Sequence, residues 1–192
     1  MEVYEAIEKR RTIRIFKKGA SEEQLRKIIV AGTKAPSAGK GQPWEFIIVD
    51  DPKIVDQLAE HKYQQNRKLS PRYLGEEVKA EEVERLALNQ KKSFQNATIV
   101  AVCSQKGEGP SVWLCIENMS LAAVAEGLGS GIVTYWGKQK ETVQEILGIP
   151  QDYELTAILR VGEPGEEGFP PMDRNSLRPR RPEFSWLHRN RF

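Results

Sequence analysis

Two arginine-bearing segments stand at opposite ends of the chain, Arg10-Arg11-Thr12-Ile13-Arg14 near its start and Arg178-Pro179-Arg180-Arg181 near its end. A guanidinium is planar, forked and permanently charged, so a converging pair suits a phosphate better than a lysine point charge does. The pattern predicts one anion site assembled from two distant pieces. Solvated arginine is the ordinary use of such residues, and the other chemistry-bearing stretches must decide between the two. Pro36, Ser37, Gly39 and Gly41 make a loop whose backbone can pass close to a flat ligand, with Gln42 adding an amide donor and acceptor. A plain turn between helix and strand explains the same Pro and Gly. Gly127-Leu128-Gly129 is no dinucleotide fingerprint: no third glycine follows at the required distance, and the glycines come after a helix and before a strand.

Other chemistries find little support. His61 and His188 are the two histidines, far apart, and neither a metal site nor a histidine-based triad can be drawn from them. Cys103 and Cys115 lie inside apolar stretches without metal-type spacing, as buried thiols in a reducing compartment do. Lys+Arg 29 against Asp+Glu 27 leaves a net charge of +2, so no global field points to nucleic acid or to an anionic membrane. No apolar run approaches the roughly 20 residues needed to span a bilayer. Met1-Glu2-Val3-Tyr4-Glu5 lacks the features of a signal peptide, which predicts a soluble cytoplasmic protein. A length of 192 residues predicts one domain, with an extended arm over about 163–192 where prolines and aromatics follow no period.

The elements that would position these residues follow from periodicity. Val3 and Ile7 predict a short helix ending near Lys9-Arg10. Ser21 before Glu22 and Glu23 reads as an N-cap, opening a helix to about Lys34. Trp44–Val49 and Thr98–Cys103 read as strands. The charged stretch Lys53–Arg85 is weakly patterned, with helical pieces at Ile54–Ala59 and Glu76–Lys92. From Ser111 to Glu126 apolar residues occupy nearly every face, which predicts a helix buried on most sides. A strand at Gly131–Tyr135, a short helix at Glu141–Leu147 and a strand at Tyr153–Val161 complete the pattern.

Four stretches in this order resemble the FMN-dependent nitroreductase family: Arg10-Arg11-Thr12-Ile13-Arg14, Ala35-Pro36-Ser37-Ala38-Gly39-Lys40-Gly41-Gln42-Pro43-Trp44, Gly127 through Gly137, and Arg178-Pro179-Arg180-Arg181-Pro182. The resemblance implies an α+β fold, a central and mostly antiparallel sheet flanked by helices. It implies a homodimer, with the long helix from Ser111 in the interface and the C-terminal extension reaching onto the partner. For FMN it implies Arg10, Arg11 and Thr12 at the phosphate and ribityl chain, Arg14 near the pyrimidine edge, and Arg178 and Arg180 closing over the phosphate. Pro36, Ser37, Ala38, Gly39 and Gln42 would touch FMN held mainly by the other subunit. Thr134, Tyr135, Trp136 and Gly137 would lie along the flavin, with a backbone N–H near Gly137 reaching N5. Asn89 and Lys92 match positions that reach the pyrimidine edge in related flavoproteins. Lys40 stands where the family usually carries asparagine.

The implied activity is electron transfer from NADH or NADPH through flavin N5 to a small acceptor, a nitroaromatic or quinone for example, with ping-pong kinetics and no side chain as nucleophile or general base. Other flavin chemistry on the same fold is one alternative: dehalogenation, dehydrogenation or flavin fragmentation. A cofactor-free protein that binds nucleic acid or another anionic partner through its arginines is a second.

Overall fold

A computed structural model describes residues 1–74, 79–165, 181–182 and 185–191. In chain order the elements are α1 (Val3–Lys9), β1 (Phe16–Gly19), α2 (Glu22–Gly32), a single 3-10 turn (Ala38–Lys40), β2 (Trp44–Val49), α3 (Pro52–Leu74), α4 (Ala80–Lys92), β3 (Thr98–Gln105), α5 (Gly109–Ala125), β4 (Gly129–Val133), α6 (Gly137–Ile146) and β5 (Tyr153–Pro164). The fold is α+β. Ser21 caps α2 as expected: its hydroxyl accepts from the Gln24 backbone while the Gln24 side chain returns to the Ser21 backbone.

β5 is the spine of the sheet. It pairs with β3 and then, past the end of β3, with β1 along one edge and with β4 along the other, while β2 lies outside β3, and every named pairing is antiparallel. Alternation sends Val100 and Val102 of β3 to a core shared with Leu25, Ile28, Cys115, Ile116 and Met119 of α2 and α5. Ile99, Ala101 and Cys103 face the opposite core, with Leu58, Phe94, Tyr135 and Val143. A register shift opposite Val102 and Cys103 inserts one extra residue into β5 at Thr156. That bulge reverses the parity of the strand, so Leu155 joins the same core as Ile158, whereas Ala157, Leu159 and Val161 face the other.

Three expectations need correction. β1, with one apolar residue in Phe-Lys-Lys-Gly, carries no strand pattern and exists because the end of β5 offers it a partner. The stretch after Lys53 is a single 23-residue helix, α3, in place of a short piece at Ile54–Ala59. β5 runs to Pro164, beyond the expected strand end at Val161. Residues 166–180 of the arm, Arg178 and Arg180 included, lie outside the described residues. The expected burial of α5 holds on the sheet side, where Val112, Cys115, Ile116, Met119 and Ala123 are wholly buried, but Trp113 and Leu114 stay exposed.

A seam beside β4 fixes the start of the chain. Thr12 forms an isolated parallel bridge with Ser130, and the Ile13 N–H donates to the Ser130 carbonyl at 2.8 Å. The approach is so close that a Cβ on Gly131 would collide with the Ile13 carbonyl oxygen and the Arg160 guanidinium. Because one of those obstacles is backbone, Gly131→Ala is expected to cost about 1–3 kcal/mol, read as a lowered urea midpoint at unchanged m-value.

Candidate functional site

Three of the sequence-selected stretches converge on β4. Arg10 to Arg14 runs beside its start, with Arg14 exposed and Thr12 half-buried. Thr134 to Gly137 leaves its end. The C-terminus of α4, with Asn89 and Lys92 exposed, is tied in through Ser93. The tie is Arg160, a wholly buried guanidinium on β5 that donates through Nε to the Gly131 carbonyl at 3.3 Å and through Nη1 to the Ser93 carbonyl at 3.2 Å and to its hydroxyl. Its face lies 5.5 Å from the Phe94 ring. Burial, then the charge of Arg14, pulls its pKa down to about 10, partly opposed by Tyr135.

The individual side chains take distinct roles. Arg10 reaches Glu117 of α5 at 3.6 Å, while Arg11 turns back on α1 and donates to the Arg10 carbonyl at 2.8 Å and to that of Glu8. Tyr135 faces the core, its hydroxyl donating to the Leu58 carbonyl at 2.7 Å, so of this residue the backbone alone is left for a ligand along the segment. Trp136 is 39% exposed. Gly137 is exposed at φ +54, with open space where a side chain would stand.

Two residues not singled out from the sequence hold this segment from beneath. Lys62 and Gln65, one helical turn apart on α3, both donate to the Thr134 carbonyl, at 2.9 and 3.1 Å. Gln65 Oε1 accepts from the Trp136 N–H at 3.0 Å. The Lys62 ammonium sits 4.6 Å from the Trp136 ring and 5.8 Å from that of Tyr135, and burial, aided by the charge of Arg160, lowers its pKa to about 8. The signal that could have found them is their place: with Ile54, Val55, Leu58 and Ala59 they continue the inward stripe of α3, where polar residues are unexpected.

The loop of Pro36, Ser37, Ala38, Gly39 and Gln42 is not brought to this cluster. It enters β2, three strand spacings from β4, roughly 14 Å across the sheet. Its turn is held by the Gln42 N–H donating to Ser37 Oγ at 3.0 Å. Gly39, Lys40 and Gln42 all have positive φ, and Lys40 at +58 explains the familiar asparagine, which tolerates that conformation better than lysine does.

Cationic and hydroxyl donors beside β4 and exposed backbone at Gly137, on an α+β fold, suit a flat, phosphorylated cofactor. The residues fit FMN in charge and in backbone access. Comparison with known proteins agrees. The profile of the Nitroreductase family matches residues 7–163. An NADPH-dependent oxidoreductase of Staphylococcus haemolyticus is 31% identical, covering 98% of this chain and 73% of that protein. An iodotyrosine deiodinase of Thermotoga neapolitana is 28% identical, covering 91% of this chain and 95% of that one. A solved structure of an iodotyrosine deiodinase bound to FMN and 3-iodo-L-tyrosine has a TM-score of 0.72 at 29% identity, covering 88% of this chain and 92% of that one. The chain belongs to the nitroreductase family, and with it to the flavin oxidoreductases.

Two outcomes are expected. Lys40→Asn relieves the left-handed backbone and should raise stability by up to about 1 kcal/mol in urea denaturation. Lys62 has a folded pKa of about 8 against an ordinary 10.5, so above pH 8 the unfolded chain binds the additional proton. Stability of the wild type relative to Lys62→Met should therefore rise between those pH values and be level below them, which paired melts across pH 7 to 10.5 would read.

Proposed function

We propose that the protein binds FMN and carries electrons from NADH or NADPH to a small acceptor of the nitroaromatic or quinone type. The observation that carries this reading is the convergence on β4 of Arg10–Arg14, the end of α4 and Thr134–Gly137. Bound FMN would supply two-electron chemistry at N5, and the chain supplies grip, orientation and charge.

Arg10 and Thr12 would hold the phosphate and ribityl chain, Arg14 with Asn89 and Lys92 the pyrimidine edge, and the backbone of Thr134–Gly137 one side of the ring. Arg11, folded onto α1, serves that helix end more than the ligand. Arg178 and Arg180 would add to the phosphate grip. No nucleophile or general base is needed, and the two buried thiols are held protonated, Cys103 at about 11 and Cys115 at about 12, by burial first.

A homodimer supports the same reading. Val3, Tyr4 and Ile7 of α1, Val30 of α2, and Trp113 and Leu114 of α5 are exposed on helices that pack on one another. Such apolar surface asks for a partner. A second subunit would also bring the Pro36–Gln42 loop to a site that its own sheet keeps it from reaching.

Purified protein should be yellow, with the absorption of oxidised flavin, and should bleach with NADH or NADPH under anaerobic conditions. Protein that stays colourless after incubation with FMN defeats the reading; a yellow protein that neither nicotinamide bleaches points to other flavin chemistry. Arg14→Ala, which removes a charge-assisted contact, should weaken FMN binding about tenfold or more in a fluorescence-quenching titration.

A further inference from the structure

We propose that Lys62 is a positioning residue for Thr134–Gly137, and that its ammonium, with no carboxylate partner among the described residues, couples reduction of the bound flavin to proton uptake by the protein. This rests on the FMN reading above. Packing alone does not require a charge here: Gln65 already holds the Thr134 carbonyl and the Trp136 N–H, so an apolar side chain at position 62 would leave the segment anchored. Lys62 is 6% exposed, and its hydrogen-bond acceptor is a carbonyl shared with Gln65. A buried ammonium in that setting is expensive unless an anion shares the site.

Among the described residues, the groups that bear on it supply no such anion. Arg160, from β5, repels it. Tyr135, from the segment after β4, is kept neutral by burial, and Trp136 offers only its ring. Arg14 adds to the same positive field through Arg160. Reduction by two electrons and one proton leaves a flavin with one more negative charge than before. That charge favours the ammonium over the amine, so a fraction of neutral Lys62 takes a proton from solvent as the cofactor is reduced.

The test is the midpoint potential of the FMN-loaded protein against pH, measured by dye-coupled spectral titration for the wild type, Lys62→Met and Gln65→Glu. From about pH 8 up to the higher pKa that Lys62 takes beside the reduced flavin, the wild type should take up as much as one proton more than Lys62→Met per two electrons. The added slope is a factor of ten in equilibrium constant per pH unit, about 30 mV for a two-electron couple. Gln65→Glu gives up the amide donor to Thr134 and places a carboxylate one helical turn from Lys62, which holds the ammonium charged and should move the break to higher pH, a readout that survives even if Lys62→Met folds poorly. Superimposable profiles for wild type and Lys62→Met, or a break unmoved in Gln65→Glu, overturn the proposal while leaving FMN binding intact. Wild-type protein that takes up no FMN overturns both readings together.

Discussion

The backbone of Thr12 and Ile13 lies against β4 with no room for a side chain at Gly129 or Gly131, and this contact sets where every cation of the site can stand. Thr12 and Ile13 are held by one bridge and one hydrogen bond to Ser130, so Arg10 and Arg14 project to either side of a fixed point. The same Gly131 vacates the volume into which the Arg160 guanidinium fits. Two glycines thus do more for the site than any single donor. A β4 with ordinary side chains would push the N-terminal segment off the sheet and leave Arg160 without its carbonyl acceptor.

Arg160 extends that constraint to the helices. By bonding Gly131 and Ser93 at once it ties β4 to the C-cap of α4, where Asn89 and Lys92 stand one turn and one residue away. Among the described residues its partners are neutral, two carbonyls and a hydroxyl, which solvate the charge without opposing it. With Lys62 below Thr134 and Arg14 at the surface, the neighbourhood carries a standing positive potential in a setting where water screens little. A field arranged before any ligand arrives is what stabilisation of developing negative charge requires.

Much of this was legible in the chain. Ser21 before Glu22 and Glu23 announced α2, the run Trp44–Val49 was a strand to the residue, and the Arg10–Arg14, Pro-Ser-Gly and glycine stretches lie at β4 or at the edge at β2. What stayed hidden had physical causes. Phe16–Gly19 is a strand because β5 pairs with it, a tertiary effect that its own residues do not encode. α3 was obscured because Lys62 and Gln65 occupy inward positions that a helix normally fills with apolar side chains. Arg160 lay unnoticed inside a strand pattern, where a lone arginine reads as an outward-facing residue.

Four residues of this chain break local rules. An ammonium and a guanidinium are buried without carboxylate partners among the described residues, and a lysine and a glutamine take left-handed backbone at Lys40 and Gln42. Each costs stability, and folds retain such costs where function demands them. Their distribution is informative: one group lies beneath β4, the other in the loop before β2, with three strand spacings of the sheet between them. Neither group explains the other within a single chain. In the homodimer proposed above, the second would face the first across the subunit boundary, and both sets of unfavourable choices would then serve one cofactor.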